Sequence, residues 1–296
     1  MRYNQIMSDL FYVFMACTVT VAALGIPIGR TIAKRFVDMH PDLTIENAHS
    51  KAPGIIVLAL CILALTLLAG ILLNSRTLMA GLPMWLDILG VPFLYVMIVS
   101  LFSTLFSLAC YIAASTGHPR RRALALAGAL VVLAPLLVQF QYEKPIYKGL
   151  GEDVTQDGIV LQSGPYSCVP ASGANLARQF EIKVTEKGLA RLMGTSCRGT
   201  RAAQAVFGMK AIGIDCTKIR LPRPDPYLIK PPAILSVDLP ETGPESHAIY
   251  FKGIEPDVRG RAVIYDPLYG RRLMSIEQLK SVWRGTGLEC SVLPGA

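Results

Sequence analysis

The chain has 296 residues, 52% of them hydrophobic, and its mean hydropathy is +0.44. Because the apolar residues are concentrated in the first half, this composition argues against a wholly soluble protein and predicts a membrane region joined to a soluble domain. The net charge of +8 is divided equally, since Met1–Tyr142 has 9 basic and 5 acidic residues and Glu143–Ala296 has 20 and 16. Neither half has a basic stripe interleaved with aromatic residues, which excludes a nucleic-acid partner.

Residues 1–142 contain four long uncharged stretches, each close to or above the roughly 18 to 20 residues with which a helix crosses a bilayer. They predict transmembrane helices at about residues 10–29, 54–73, 91–116 and 123–140. Four buried helices of a soluble protein are disfavoured, because such helices carry a polar stripe and these do not. A cleaved signal peptide is disfavoured because Gly25-Ile26-Pro27 is a poor cleavage site.

The short loops between these stretches differ in their content of Lys and Arg. The basic residues of the first and third loops are Arg30, Lys34, Arg35, Lys51, Arg120, Arg121 and Arg122. The second loop has only Arg76. Since an excess of Lys and Arg marks the cytoplasmic side, both termini are predicted to lie outside. We therefore expect an integral membrane protein, with the lipid bilayer as a partner and everything after about Glu143 on the extracytoplasmic side.

After a polar tether at 143–158, the domain at 159–296 begins with helical patterns and continues with strand patterns. The expected helices are Ala171–Phe180, Thr185–Met193 and Thr200–Ile212, and the expected strands are Ala233–Val237, His247–Phe251 and Arg261–Tyr265. Helices followed by an antiparallel sheet predict an α+β fold, after an all-α transmembrane region. This order places Cys168 at the start of a helix and His247 at the start of a strand.

Cys168 stands where the loop Gln162–Ser167 runs into a predicted helix. A thiolate at a helix N-terminus is stabilised by the unpaired backbone N–H groups and by the helix dipole, so this cysteine is a candidate nucleophile. His247 is the only histidine after His118 and is therefore its one possible imidazole base in this domain. Asp266 ends an apolar run and precedes a proline, where its carboxylate can orient the imidazole.

Acyl transfer also needs donors for the oxyanion that develops on the substrate carbonyl. The backbone N–H of Cys168 supplies one donor, and the amide of Gln162, folded back by the Gly164-Pro165 turn, supplies the other. The alternative is a structural cysteine, a strand histidine satisfied by a neighbour, a turn-forming aspartate and a strand-end glutamine. That alternative is reasonable for each residue alone and weaker for the four together.

The seven cysteines divide between the two halves. Those in the apolar stretches, where free cysteine behaves as a small apolar residue, are Cys17, Cys61 and Cys110. No CxxC pair or Cys/His cluster has the spacing of a zinc site, so neither a metal nor another cofactor is expected. If Cys168 is a nucleophile, Cys197, Cys216 and Cys290 remain for an oxidising compartment to pair. We expect a Cys197–Cys216 disulfide, which the spacing permits without requiring.

The local sequence strings resemble the C39 and C39-like peptidases, a bacteriocin-processing branch of the papain-like cysteine peptidases. The resemblance covers about residues 160–288 and rests on the strings at Gln162, Cys168–Ala171, Gly199–Thr200, His247 and Asp266–Gly270. It implies a papain-like α+β fold in a protein of the bacterial cytoplasmic membrane. It also implies that Cys168 is the nucleophile, His247 the base and acid, Asp266 the orienting group and Gln162 an oxyanion donor.

Three features depart from the family pattern. Val169 stands where the family usually has glycine, Ser167 where it often has an acidic residue, and no Walker A motif occurs in the sequence. The chain is therefore not expected to be a peptidase–transporter fusion. We expect a membrane-anchored cysteine peptidase acting on a membrane-associated or exported peptide or protein, with a separate exporter as a further candidate partner. Two alternatives stay open, a non-catalytic peptide-binding module and a cysteine acyl or amide transferase.

Overall fold

The structure is a computed structural model that describes residues 6–44, 84–117, 121–151, 153–221, 224–240, 247–255 and 260–293, with scattered residues between 47 and 68. The chain divides into two compact units, Tyr12–Gln141, and Tyr142–Ala296 together with Met1–Phe11. The first is helical and the second has mixed helices and strands.

The helical unit includes α1 (Ile6–Met39), α2 (Met84–Ser115) and α3 (Arg121–Glu143). Among the described residues, two helices, Phe11–Met39 and Val96–Ser115, are long and apolar enough to cross a membrane, rather than the four that the sequence predicts. The predicted span at 54–73 lies mostly outside the described residues. The predicted span at 123–140 is helical and lies within α3.

Small residues let α1 and α2 approach closely. Gly25 and Gly29 form a Gly-x-x-x-Gly motif on α1, and a Cβ atom at Gly29 would lie 2.1 Å from the carbonyl oxygen of Thr104 on α2. The hydroxyls of Ser103 and Ser107 each donate a hydrogen bond of 2.6 Å to a backbone carbonyl of α1. Close backbone approach at glycine with hydroxyl bonds between helices is the packing typical of helices in lipid.

The second unit has four helices and eight strands in its described residues. The helices are α4 (Cys168–Gln179), α5 (Glu186–Met193), α6 (Ala202–Lys210) and α7 (Ile276–Val282). The strands are β1 (Asp153–Val154), β2 (Val160–Leu161), β3 (Ile214–Arg220), β4 (Ala233–Val237), β5 (His247–Glu255), β6 (Arg261–Asp266), β7 (Gly270–Met274) and β8 (Trp283–Val292). β1 pairs with β2, and the other six strands form an antiparallel sheet in the order β3-β8-β4-β5-β6-β7.

The central strand β5 is buried on both faces because each face packs against its own core. Ala248 and Tyr250 belong to the core that contains small residues of α4, whereas Ile249 and Phe251 belong to the core that contains α7. This division follows from the alternation of side chains along a strand. The sheet therefore has helices on both faces, and the N-terminus of α4 lies near the start of β5.

The predicted α+β architecture is confirmed. The three predicted helices correspond to α4, α5 and α6 with boundaries within three residues, and Thr185 caps α5 by accepting a hydrogen bond of 3.0 Å from the N–H of Gly188. The prediction for residues 233–237 coincides with β4, and β5 extends four residues beyond its prediction. β3, β7 and β8 were not predicted.

The segment 143–158, predicted as a tether, makes ordered contacts with the rest of the domain. Its Pro145 forms a β-bridge with Ser196, and the N–H of Ile146 donates to the carbonyl of Thr195 at 3.0 Å. The guanidinium of Arg191 lies over the ring of a tyrosine in this segment, 5.8 Å from its centroid. The connection between α3 and the domain is therefore held against the loop that follows α5.

The disulfide differs from the predicted one. Cys216 is bonded to Cys290, and Cys197 has a free thiol. The reason is the strand register, because Cys216 on β3 lies directly opposite Cys290 on β8. Their Cα atoms are 4.1 Å apart, which brings the two thiols within bonding reach.

Candidate active site

Cys168 is the first residue of α4, and a closed turn leads into it. The N–H of Gly164 donates to the Ser167 hydroxyl at 3.2 Å, and that hydroxyl donates to the Gly164 carbonyl at 2.8 Å. Because Ser167 is engaged in this turn, its side chain does not cap α4. The partly buried thiol of Cys168 therefore lies at the positive end of a helix whose first turn has no side-chain cap from Ser167.

His247 and Asp266 form a buried hydrogen-bonded pair at one end of the sheet. His247 begins β5 and is 5% exposed, while Asp266 ends β6 and is fully buried. The Nε2 atom of His247 lies 2.9 Å from Oδ1 of Asp266. Oδ1 also accepts a hydrogen bond of 2.9 Å from the N–H of Leu268, in the turn that joins β6 to β7. The turn thus fixes the carboxylate, and the carboxylate fixes the imidazole.

The pKa values of this pair are shifted in the directions that keep both groups charged. Burial lowers the pKa of His247, but hydrogen bonds and charge interactions with Asp266 and Cys168 outweigh it and raise the pKa to about 9. Burial raises the pKa of Asp266, but hydrogen bonds from His247 and Leu268 and the charges of His247 and Arg272 outweigh it, so the pKa is lowered. The geometry favours an imidazolium between a carboxylate and a thiol.

Three of the four predicted site residues thus form one group, because Cys168 and Asp266 each interact with His247. Nε2 of His247 is hydrogen-bonded to Asp266, so Nδ1 is the ring nitrogen left for Cys168, which contributes to the raised pKa of His247. Such an arrangement activates a cysteine nucleophile and holds the imidazole that serves it in one orientation. Among the described residues, no group of three potential ligands could hold a metal ion.

Gln162 lies beside the turn that contains Asp266. Its backbone N–H donates to the carbonyl of Pro267 at 2.8 Å, which joins its loop to the residue after Asp266. Its side-chain Nε2 donates to the Gly164 carbonyl at 3.0 Å, and its Oε1 is buried without a hydrogen-bond partner among the described residues. The amide predicted to be an oxyanion donor is therefore held over the turn that leads into Cys168.

Sequence reasoning did not find Glu186, which holds the Gln162 loop from the other side. Glu186 is fully buried at the start of α5. Both of its carboxylate oxygens accept from the N–H of Ser163, at 3.0 and 3.1 Å, and Oε2 also accepts from the Ser163 hydroxyl at 2.7 Å. The only sequence signal was an acidic residue after an N-cap, which predicts a helix start and not a loop contact.

Sequence reasoning also missed the polar residues on α4. Ser172 and Asn175 follow Cys168 by four and seven residues and so lie on the same helix face. The Ser172 hydroxyl donates to the carbonyl of Ala248 at 3.1 Å, next to His247. The Asn175 side chain accepts from the N–H of Val160 at 2.7 Å and donates to its carbonyl at 2.8 Å. These bonds fix α4 against β5, which begins with His247, and against β2, which ends just before Gln162.

Residues 156–292 match the Peptidase C39 family. The match lies within the second unit, which we now call the C39-like domain, and it agrees with the resemblance seen in the sequence. A comparison with curated proteins gave no match.

Several solved structures of C39 peptidase domains are similar to this chain. One is a double glycine motif protease from an AMS/PCAT transporter in complex with the leader peptide, 18% identical over 48% of this chain and 91% of that chain, with a TM-score of 0.36. Another is the peptidase domain of Streptococcus ComA, a bi-functional ABC transporter, 23% identical over 45% of this chain and 96% of that chain, with a TM-score of 0.37. A third is the N-terminal peptidase C39 like domain of a toxin secretion ATP-binding protein from Vibrio parahaemolyticus. It is 14% identical over 43% of this chain and 97% of that chain, with a TM-score of 0.34.

Proposed function

We propose that this protein is a membrane-anchored cysteine peptidase that hydrolyses a peptide bond in a membrane-associated or exported peptide or protein. The observation that carries the proposal is the buried His247–Asp266 pair, with Cys168 interacting with the same imidazole at the start of α4. In the proposed site Cys168 is the nucleophile, His247 the acid and base, and Asp266 the orienting group. Gln162 and the backbone N–H of Cys168 are the oxyanion donors.

The reaction follows from these positions. The thiolate of Cys168 attacks the substrate carbonyl carbon, and the oxyanion that forms accepts hydrogen bonds from the two donors. His247 gives the proton on its Nδ1 atom to the amine nitrogen, the carbon–nitrogen bond breaks, and a thioester remains. His247 then takes a proton from water, and the oxygen of that water attacks the thioester carbon. The carbon–sulfur bond breaks, which releases the carboxylic acid and restores the Cys168 thiolate beside the His247 imidazolium. Asp266 stays ionised throughout and stabilises the imidazolium.

A membrane anchor is supported by the two long apolar helices and by the close contact between α1 and α2 at Gly25 and Gly29. An extracytoplasmic C39-like domain is supported by the distribution of Lys and Arg between the apolar stretches, with Arg30, Lys34 and Arg35 toward the C-terminal end of α1. It is also supported by the Cys216–Cys290 disulfide, since disulfides persist in oxidising compartments. A reporter fused after Ala296 is expected to be active on the extracytoplasmic side of the membrane. A reporter inserted at residues 117–122 is expected to be active on the cytoplasmic side. A cytoplasmic signal from the first fusion would contradict this location.

The peptidase activity is tested by comparing exported peptides, by mass spectrometry, between cells with the wild-type protein and cells with Cys168→Ala. Cys197→Ala is the matched control, because Cys197 is also a partly buried free thiol of the same domain. We expect a peptide product that is lost in Cys168→Ala and retained in Cys197→Ala. Identical peptide sets in all three strains would contradict the proposal.

Two further measurements separate the alternatives. A thiol-reactive peptide electrophile should label Cys168, whereas a non-catalytic peptide-binding module would leave it unlabelled. Products formed with an added amine distinguish hydrolysis from acyl or amide transfer, because a transferase would join the acyl group to the amine. A free carboxylic acid at every amine concentration is the result expected of a peptidase.

A further inference from the structure

Arg272 lies on the same face of the sheet as Asp266. β6 and β7 are antiparallel, with Asp266 opposite Gly270 and Ile264 opposite Arg272. Since residues two apart on a strand face the same side, Ile264 and Asp266 share a face, and Arg272 shares it with them. Its neighbour Arg271 is exposed and faces the other side. Of these two adjacent arginines, the register therefore directs Arg272 toward the buried carboxylate.

The contacts of Asp266 divide between its two oxygens. Oδ1 accepts from His247 and from the N–H of Leu268, whereas Oδ2 accepts no hydrogen bond from the residues that the structure describes. Nη1 of Arg272 lies 3.5 Å from Oδ2. The guanidinium also lies over the ring of Tyr269, 5.3 Å from its centroid, which restrains its position. A fixed positive charge thus faces the oxygen that His247 does not use.

We propose that Arg272 is a positioning residue of the peptidase reaction, which keeps Asp266 ionised and turned so that Oδ1 remains available to His247. The inference rests on the proposed function, since it assigns Arg272 to the same site. Arg272 does not contact the reacting atoms in this arrangement, and its effect passes through Asp266 and then His247.

The physical reason is the full burial of Asp266. Burial disfavours the charged form of a carboxyl group, and a protonated Asp266 would not stabilise the imidazolium that drives the reaction. The groups that face Asp266 are His247 from β5, the N–H of Leu268 from the turn and Arg272 from β7, while Cys168 on α4 acts through His247. His247 loses its charge as pH rises, but an arginine stays charged at every relevant pH. Arg272 is therefore the permanent charge of this cluster.

The test uses the full-length protein in detergent with Arg272→Met, Arg272→Lys and the control Arg271→Met. Arg272→Met should lower kcat by roughly 10-fold with little change in KM, the pattern of an interaction used in the transition state. It should also move the acid limb of the pH profile to higher pH, since Asp266 then protonates more easily. Arg272→Lys, which keeps the charge, should restore kcat to within about threefold of wild type. Arg271→Met should match wild type.

A second readout needs no peptide substrate. The rate at which iodoacetamide alkylates Cys168, followed by mass spectrometry of the peptide that contains it, reports the thiolate paired with the imidazolium. In Arg272→Met the rise of this rate with pH should begin at higher pH than in wild type or Arg271→Met. If the wild-type protein cleaves no peptide but this shift occurs, the peptidase proposal fails, while the action of Arg272 on Asp266 and, through it, on His247 stands.

A wild-type kcat and an unshifted acid limb in a folded Arg272→Met would overturn the inference and leave the peptidase proposal intact. Equal losses in Arg272→Met and Arg271→Met would also overturn it, because they would show a general effect of surface charge. If Arg272→Met does not fold, Arg272→Gln replaces it, since glutamine keeps a hydrogen-bond donor without the charge. The same losses and shifts are then expected of Arg272→Gln, and their absence would overturn the inference.

Discussion

Replacing Asp266 by asparagine should shift the titration of His247 to lower pH. Asparagine has nearly the same shape and can still accept from the N–H of Leu268, so the turn between β6 and β7 should be kept. What disappears is the negative charge 2.9 Å from the imidazole. The variant therefore isolates the electrostatic contribution of Asp266 from its contribution to the turn.

The size of the effect follows from the environment of His247. A pKa of about 9 instead of 6.5 corresponds, at about 1.4 kcal/mol per pH unit, to about 3 to 4 kcal/mol in favour of the imidazolium. Without the carboxylate charge, burial still lowers the pKa of His247, and we therefore expect this pKa to fall below its wild-type value. Because the imidazolium protonates the leaving amine, kcat should fall by about 10- to 1,000-fold, which is less than the loss in Cys168→Ala.

The assay is the pH dependence of kcat/KM, which reports the groups of the free enzyme, together with thermal unfolding of the same preparation. In the wild type the alkaline limb should lie near pH 9, and in Asp266→Asn it should lie at lower pH. The folded-state pKa of His247 is raised, so its contribution to stability is fully present below about pH 6.5 and is lost as pH rises through about 9. The wild-type thermal midpoint should therefore fall across this window, and that of the variant should fall less.

The reasoning would be refuted by an Asp266→Asn protein with the wild-type alkaline limb, the wild-type rate and the same thermal midpoint. That result would remove Asp266 from the site and leave a Cys168–His247 dyad. A lower thermal midpoint with an unshifted pH profile would also refute it, because Asp266 would then act only in the turn.

Three other predictions test the residues of the candidate site and the disulfide of the C39-like domain. Cys168→Ala should abolish cleavage in a folded protein, and adding His247→Ala should cost little more, because residues of one catalytic unit are strongly non-additive; additive losses in kcat would contradict this. Gln162→Ala should lower kcat by roughly 100- to 1,000-fold with little change in KM, and a rate within a few-fold of wild type would remove it as an oxyanion donor. Replacing both Cys216 and Cys290 by serine should lower the free energy of unfolding by about 2 to 4 kcal/mol, because the bond closes a loop over a sequence separation of 74 residues; an unchanged thermal midpoint would contradict it.

The interacting site residues could be predicted because each stands at a boundary that the sequence marks locally. A loop before a helix marks Cys168, the start of an apolar strand marks His247, and an Asp-Pro turn marks Asp266. The hydrogen bond between His247 and Asp266 joins neighbouring strands, so its geometry follows once β5 and β6 are paired. For Gln162 the sequence predicted a position in the loop before Cys168. The hydrogen-bond partners of its amide depend on the conformation of that loop and could not be predicted.

The disulfide and part of the sheet could not be predicted, because they depend on pairing between distant segments. β3 and β8 are joined across most of the domain, and only their register places Cys216 opposite Cys290. Glycines inside β8 weaken its strand pattern. One of them, Gly287, is required by packing, since a Cβ atom there would lie 2.5 Å from the carbonyl oxygen of Ile234 on β4. By its low strand propensity such a glycine argues against a strand, whereas in this sheet it permits the close approach of two backbones.

The residues that sequence reasoning missed share one role, which is to hold the loop of Gln162 and the helix of Cys168 in place. Asn175 fixes β2 to α4 through both backbone groups of Val160, and Glu186 fixes the next part of the loop through Ser163. The N–H of Gln162 then joins this loop to the turn after Asp266. The glutamine is thus tied to the helix of the nucleophile and to the turn of the orienting carboxylate by bonds that involve no reacting group. In the proposed reaction such support would hold Gln162 in place before substrate arrives, and an oxyanion donor fixed in advance needs no reorganisation when the charge develops.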